Sequence, residues 1–392
     1  MKKNIFFIIN KFKTLSLIST ISLIMLFAIE YSFRLLKYTR NSISRNNFER
    51  KNSEDLEKAY DNIFSIEEIL DMQELYSART LQYRPWVQIG NSDHKHKYSI
   101  VKDGKRKTYS IQENCRNPIE VWFFGGSTMF GTGSSWVTSI PSEFVKFAEI
   151  NNQCINALNF GVPYHYSLQE VIYFSTELAK NNFKKPNYAV FLDGLNDFGQ
   201  PGSSLRKEPF FTPVISSVFK PTNDLNKIDL KLVTFNFESV RFLQRIISSR
   251  LIRNPNLGYT NRTLPIGYDA EKSAIEISQN ILSSSTYLNK ICKINKIKCF
   301  HYLQPVAAIK YKPNGEKLTS WIEDENVKNR YSIGYKETSN LLKKIDGANN
   351  YKFVNLSDLF LNFQGIPYVD SGHYSPRANS LIAEEIYKSI FF

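Results

Sequence analysis

Asp370 and His373 stand three residues apart near the end of the chain, and far upstream Ser127 follows two glycines, Gly125 and Gly126. A serine hydroxyl is a poor nucleophile until a base takes its proton, and an imidazole steadied by a carboxylate is suited to that task near neutral pH. The Asp-x-x-His spacing lets one carboxylate reach a ring nitrogen from the same loop and leaves the other nitrogen to face a serine. Attack on a carbonyl also builds negative charge on its oxygen, which needs hydrogen-bond donors fixed beforehand. Three positions offer them: the Ser127 N–H, the Gly161 N–H in Asn159-Phe160-Gly161, and the Asn196 side-chain amide in Gly194-Leu195-Asn196-Asp197. Ser127, His373 and Asp370 thus read as nucleophile, base and orienting acid, with Ser127, Gly161 and Asn196 around an oxyanion.

Plainer readings stand beside each piece. The Gly125–Ser127 turn also looks like a phosphate cradle, but no lysine follows it as one does in a phosphate loop. Asp370 is a candidate cap for the helix after Pro376, although Ser375 is better placed for that role. Gly161 and Asn196 are residue types that turns use anyway. His94 and His96 have metal-ligand character, yet no cysteine or carboxylate cluster nearby completes a set, so a surface loop is expected and neither metal nor other cofactor is assigned. Trp136, Tyr164, His165, Tyr166 and Phe198 lie near the motifs and are either a substrate-facing wall or core packing.

The elements that would position these residues alternate from Pro118 onward. Strands are expected at Glu120–Phe124, Ile155–Asn159, Tyr188–Leu192, Lys298–Leu303 and Tyr351–Asn355. Between them lie helical stretches, one opened by Pro141, one by a Ser167–Glu170 capping box, and others at about 271–295, 330–345 and 376–387. Short apolar strands separated by helices imply right-handed crossovers and a parallel sheet covered on both faces. Reactive groups gather at the carboxyl ends of such strands, which puts Ser127, Gly161 and Asn196 on one rim. Upstream, Asp103-Gly104 marks a β-hairpin packed beside the main body. Residues 200–268, rich in proline, serine, asparagine and aromatics, interrupt the alternation and read as a lid.

The four blocks Gly125–Thr128, Asn159–Gly161, Gly194–Asp197 and Asp370–His373, in this order, resemble those of the SGNH hydrolases, also called GDSL esterases and lipases. The resemblance covers residues 118 to about 387. It implies a three-layer α/β/α sandwich with a mostly parallel, flavodoxin-like sheet, and metal-independent acyl-ester hydrolysis. The first block departs from the family's Gly-Asp-Ser-Leu form, which puts substrate preference in question rather than the chemistry. Anchored relatives often act on acetyl groups of bacterial surface polysaccharides, so the expected substrate is an acylated glycan. Transfer of the acyl group to a glycan, lipase-like action on acyl lipids, and a non-catalytic glycan-assembly subunit are the alternatives.

Outside this block, an uncharged run begins at Thr14 after four lysines, and Thr14–Phe33 gives about 20 residues, enough to span a hydrocarbon core. The organisation expected is a cytoplasmic tail at 1–13, a transmembrane helix at 14–33, a stalk and hairpin at 34–117, and the hydrolase-like domain at 118–392. A cleaved signal peptide competes with the anchor, but no clear small-residue cleavage site follows. Arg34, Lys37 and Arg40 rival the upstream lysines in setting orientation, and the catalytic body is placed outside the cytoplasm. Cys115, Cys154, Cys292 and Cys299 form no C-x-x-C pair. They are either free thiols or two local disulfides, 115–154 and 292–299, in an oxidising compartment. The net charge of +13 comes from lysines spread along the chain without a basic segment interleaved with aromatics, so no nucleic-acid partner is expected.

Overall fold

The computed structural model describes residues 16–22, 24–35, 54–77, 81–110, 115–180, 185–208, 264–309, 311, 318, 324–347 and 350–392. The chain divides into two units, residues 1–51 with 213–258 and residues 52–212 with 259–392. In the first unit the described part is one apolar helix, Ser16–Leu35, with a mean hydropathy of 1.7 in its most apolar stretch. Near its end Arg34 pairs with Glu30 one turn back, at 2.9 Å. Most of the segment read as a lid, residues 209–263, lies outside the described residues, as does the tail.

The second unit is built on a mixed β-sheet. In chain order its elements are helix α1 (Ile66–Ser77), strands β1 (Leu81–Arg84), β2 (Gln88–Asn91), β3 (His94–Lys95), β4 (Ile100–Lys102), β5 (Lys105–Arg106) and β6 (Ile119–Gly125), and helices α2 (Ser127–Phe130) and α3 (Ile140–Ile150). There follow β7 (Ile155–Asn159), α4 (Ser167–Lys180), β8 (Tyr188–Asp193), α5 (Leu195–Gly199), α6 (Pro201–Arg206), α7 (Ala270–Asn295), β9 (Lys298–Leu303), α8 (Glu325–Leu342), β10 (Tyr351–Asn355) and α9 (Pro376–Phe391). The sheet runs β10-β9-β8-β6-β7-β5-β4-β3, and β1 and β2 form a separate antiparallel ribbon. The five strands from β10 to β7 are parallel.

Burial on both faces explains why the parallel strands are nearly continuous apolar runs. Along β6, Val121 and Phe123 join one core with Phe144 of α3 and Ile382 and Ile386 of α9. Trp122 and Phe124 face the other way, into a core with Phe174 of α4, Ile277 and Ile281 of α7, and Tyr331 of α8. There Phe124 stacks on Phe160 and Phe191, with ring centroids 4.9 and 5.2 Å apart. Pro141 sits in the first turn of α3 and Pro376 in that of α9, where Ser375 caps the helix. Two disulfides, Cys115–Cys154 and Cys292–Cys299, join cysteines with Cα atoms 5.4 and 6.1 Å apart.

Three expectations need correction. The hairpin is not beside the body: β5 pairs antiparallel with β7 at Arg106 and Asn159, so β3–β5 extend the sheet and make it mixed. The segment read as a stalk is, from residue 54, part of the packed body. Leu56, Tyr60, Ile69 and Met72 form a third core with Tyr98 and Val369. Ser167 and Glu170 are not a capping box: the Ser167 hydroxyl donates to Asp197 at 2.7 Å, and Glu170 is buried.

The sheet extension carries a buried arginine to the site. Arg106, 2% exposed, donates from Nη1 to the Phe130 and Gly131 carbonyls at 2.5 and 2.6 Å, and from Nη2 to those of Ser134 and Tyr98 at 2.6 and 3.2 Å. These bonds fix the loop that leaves α2. Arg106→Leu would strand several buried carbonyls at once, and we expect it to lower unfolding free energy by about 3 kcal/mol or more, as read from urea denaturation.

Candidate active site

β7 lies on one side of β6 and β8 on the other, so the chain reverses direction across the sheet at the β6/β8 pair. A crevice opens at the carboxyl ends of strands at such a point. Ser127 opens α2 directly after β6, and Asn196 lies in α5 directly after β8. As the first residues of a helix, Ser127 and its neighbours have N–H groups with no intrahelical acceptor. Two glycines make the close approach possible. A Cβ on Gly126 would lie 2.3 Å from the Asn196 Nδ2, and one on Gly161 would lie 2.3 Å from the Phe130 N.

Asp370 and His373 are brought together. His373 Nδ1 is 2.6 Å from Asp370 Oδ2, while the Gly372 and His373 N–H groups donate to Oδ1 at 2.8 and 2.9 Å. With the carboxylate ionised, Nδ1 carries the proton and Nε2 is left as acceptor. Burial pushes the Asp370 carboxyl up. The His373 ring, its hydrogen bond and the two backbone donors outweigh that and hold it at about 2. The loop is folded back by the Tyr368–Tyr374 bridge and by Val369 N–H donating to the His373 carbonyl. It lies beside the loop leaving α2: a Cβ on Gly133 would meet Val369 and come within 3.9 Å of the His373 Cβ. Among the described residues, no hydrogen bond joins Ser127 Oγ to the His373 ring.

The Asn196 amide is held at both ends. Nδ2 donates to the His165 carbonyl at 2.7 Å, and Oδ1 accepts from Gln200 Nε2 at 3.2 Å. Because a carbonyl only accepts, the nitrogen must face His165, and it lies against Gly126, the residue before Ser127. Gly161 differs from its sequence reading. Its N–H is already donated to Asn159 Oδ1 at 2.9 Å, so it is not free to meet an oxyanion. What the position requires is the absence of a side chain against α2. Of the aromatic wall, His165, Tyr166 and Phe198 are buried core residues. Trp136 is half-buried under Lys107, and Tyr164 is half-buried with a left-handed φ of 72°, which suits glycine better. His94 uses its ring on the Ser92 carbonyl and the Ser99 hydroxyl, both at 2.9 Å.

Sequence reasoning missed a second polar set beneath the site. His301 on β9 lies 2.9 Å from Asp193 Oδ2 on β8, and its Nδ1 is 2.9 Å from both Ser285 Oγ and Tyr351 OH. Ser285, His301 and Asp193 are all buried, so no substrate reaches them. Glu170 and Asp197 adjoin the same cluster. Burial, then the Asp193 charge, pushes the Asp197 carboxyl up to about 6 although Ser167 and Gly194 donate to it. The same two causes raise Glu170 well above the carboxylate range.

A carboxyl whose folded pKa is raised costs stability as pH climbs through and above its unfolded value, about 4.3 for glutamate. Glu170→Gln mimics the protonated form. We expect it to melt at a higher temperature than the parent at pH 8, with the gap closing toward pH 4, in thermal scans across that range.

No protein-family model matches the chain, and no curated protein does. Among solved structures it is similar to a putative lipolytic protein of the G-D-S-L family from Desulfitobacterium hafniense, at 10% identity over 69% of this chain and 98% of that one, TM-score 0.36. It is similar to a GDSL-like lipase from Bacteroides thetaiotaomicron, at 14% identity over 69% and 87%, TM-score 0.36. It is also similar to an acetyl-xylooligosaccharide esterase from a Geobacillus species, at 10% identity over 71% and 97%, TM-score 0.34. The structures that this chain resembles are thus G-D-S-L lipolytic proteins and esterases.

Proposed function

We propose that this chain is a membrane-anchored serine esterase of the SGNH type that removes O-acyl groups, acetyl above all, from a cell-surface polysaccharide. The observation that carries the reading is the Asp370–His373 pair, which orients an imidazole and leaves its Nε2 to act as a base. Ser127 Oγ attacks the acyl carbonyl and passes its proton to His373 Nε2. Asp370 keeps the other ring nitrogen protonated and stabilises the imidazolium. The Ser127 N–H and the Asn196 amide hold the oxyanion. Collapse of the intermediate expels the alcohol, which takes the proton from His373, and water activated by the same ring then releases the acid. A sugar hydroxyl in place of that water makes the same site an acyltransferase.

The surface location draws on the apolar helix Ser16–Leu35 and on the two disulfides, which persist in oxidising compartments. The net charge of +13 favours an anionic polymer or an acidic membrane face.

On nitrophenyl esters, Ser127→Ala and His373→Ala should abolish turnover with the fold intact. Asp370→Asn should cost about three to four orders of magnitude in kcat, and Asn196→Ala about two to three with little change in KM. Cleavage of acetyl but not long-chain esters supports the glycan reading, and the reverse preference favours a lipid substrate. A reporter that works only outside the cytoplasm should be active when fused after Phe392. Activity of the fusion in the cytoplasm alone would remove the surface polymer as substrate.

A further inference from the structure

Gln304 stands immediately after β9, at the same carboxyl rim as Ser127 and Asn196, and its side chain is buried. Its Oε1 accepts from Thr128 Oγ1 at 2.7 Å and from Tyr374 OH at 2.9 Å. Thr128 is the residue after Ser127, and Tyr374 is the residue after His373. Tyr374 OH also reaches the Pro305 carbonyl at 2.6 Å, so its single proton is shared between two oxygens on one turn. The Gln304 N–H donates to the Asp193 carbonyl at 3.0 Å, which fixes that turn to the end of β8. One side-chain oxygen is therefore bonded to the nucleophile's neighbour and to the base's neighbour, residues that lie 246 positions apart.

Resting on the esterase reading above, we propose that Gln304 is a positioning residue that sets the separation of Ser127 and His373. The other contacts between these segments are packing contacts, Met129 of α2 sharing a core with Tyr368 and Tyr374 and the loop after α2 approaching Val369 at Gly133, and packing does not fix a distance between hydroxyl and imidazole. A displacement of about 1 Å between reacting groups costs on the order of a hundredfold in rate. Substrate binding makes no demand on this junction, so the effect falls on kcat and leaves KM in place.

The test uses the full-length protein in detergent, with nitrophenyl acetate as the probe. Gln304→Met keeps the volume and removes both hydrogen bonds. It should lower kcat by about ten- to a hundredfold, hold KM within about twofold, and retain a native near-ultraviolet circular dichroism spectrum. Thr128→Val introduced into Gln304→Met should add almost nothing, because the partner of Thr128 is already gone. A Gln304→Met enzyme with parental kcat overturns the proposal, as does a loss from Thr128→Val that multiplies independently onto it. If Gln304→Met does not fold, Thr128→Val and Tyr374→Phe decide. A combined loss no larger than the greater single loss supports a shared bridge, and full multiplication overturns it. Full activity in Ser127→Ala defeats the esterase reading and the bridge together, whereas an inactive Ser127→Ala beside a fully active Gln304→Met defeats the bridge alone.

Discussion

Bare backbone meets neighbouring atoms at two points under the Ser127 turn, and the placement of the other functional groups follows from those contacts. At Gly126 the Asn196 amide lies where a Cβ would be, and at Gly161 the backbone of α2 does. Both approaches let polar groups from the ends of β6, β7 and β8 converge without a side chain between them. Arg106 then holds the far side of the same turn through its carbonyls. The turn is thus held by Asn196 at Gly126, by Gly161 against α2 and by Arg106 beyond it.

Two sets of serine, histidine and aspartate occur in this fold, and their surroundings separate them. Ser285, His301 and Asp193 sit between α7 and the sheet with Tyr351 and Glu170 for company. His373 and Asp370 have side chains 21% and 42% exposed, on a loop at the rim. Residue type alone would have ranked the sets equally. Access to solvent is what separates them.

The parallel strands were legible because burial on both faces leaves apolar runs, and the bounds of β7, β9 and β10 match those runs residue for residue. The placement of Ser127 and Asn196 after strand ends, and the pairing of Asp370 with His373 on one loop, were legible from their neighbours in sequence. The sheet extension was not: β3 and β5 are two residues each, and the pairing of Arg106 with Asn159 spans 53 positions that no local pattern encodes. Gly161 was misread because its N–H is taken by a side chain two residues back, a local bond that composition does not announce. The polar contacts of Gln304 were not legible either, because its partners Thr128 and Tyr374 lie far away in the sequence on either side of it. Ser167 and Glu170 fit a helix-start pattern, yet tertiary demand for a buried carboxyl cluster overrode it.

Both disulfides lie at the amino-terminal end of the sheet. Cys115 and Cys154 precede β6 and β7, the Cys154 carbonyl accepting from Ile119 where the two strands begin, and Cys299 is the second residue of β9. Ser127, Asn196 and Gln304 stand at the other end of these strands or their neighbours, a full strand length away. Loops of 39 and 7 residues correspond to about 4 and about 2 kcal/mol of chain-entropy stabilisation. Reduction would therefore lower the fraction of molecules that are folded and leave the arrangement at the opposite rim unchanged in those that still are. Redox surroundings would govern how much folded protein persists.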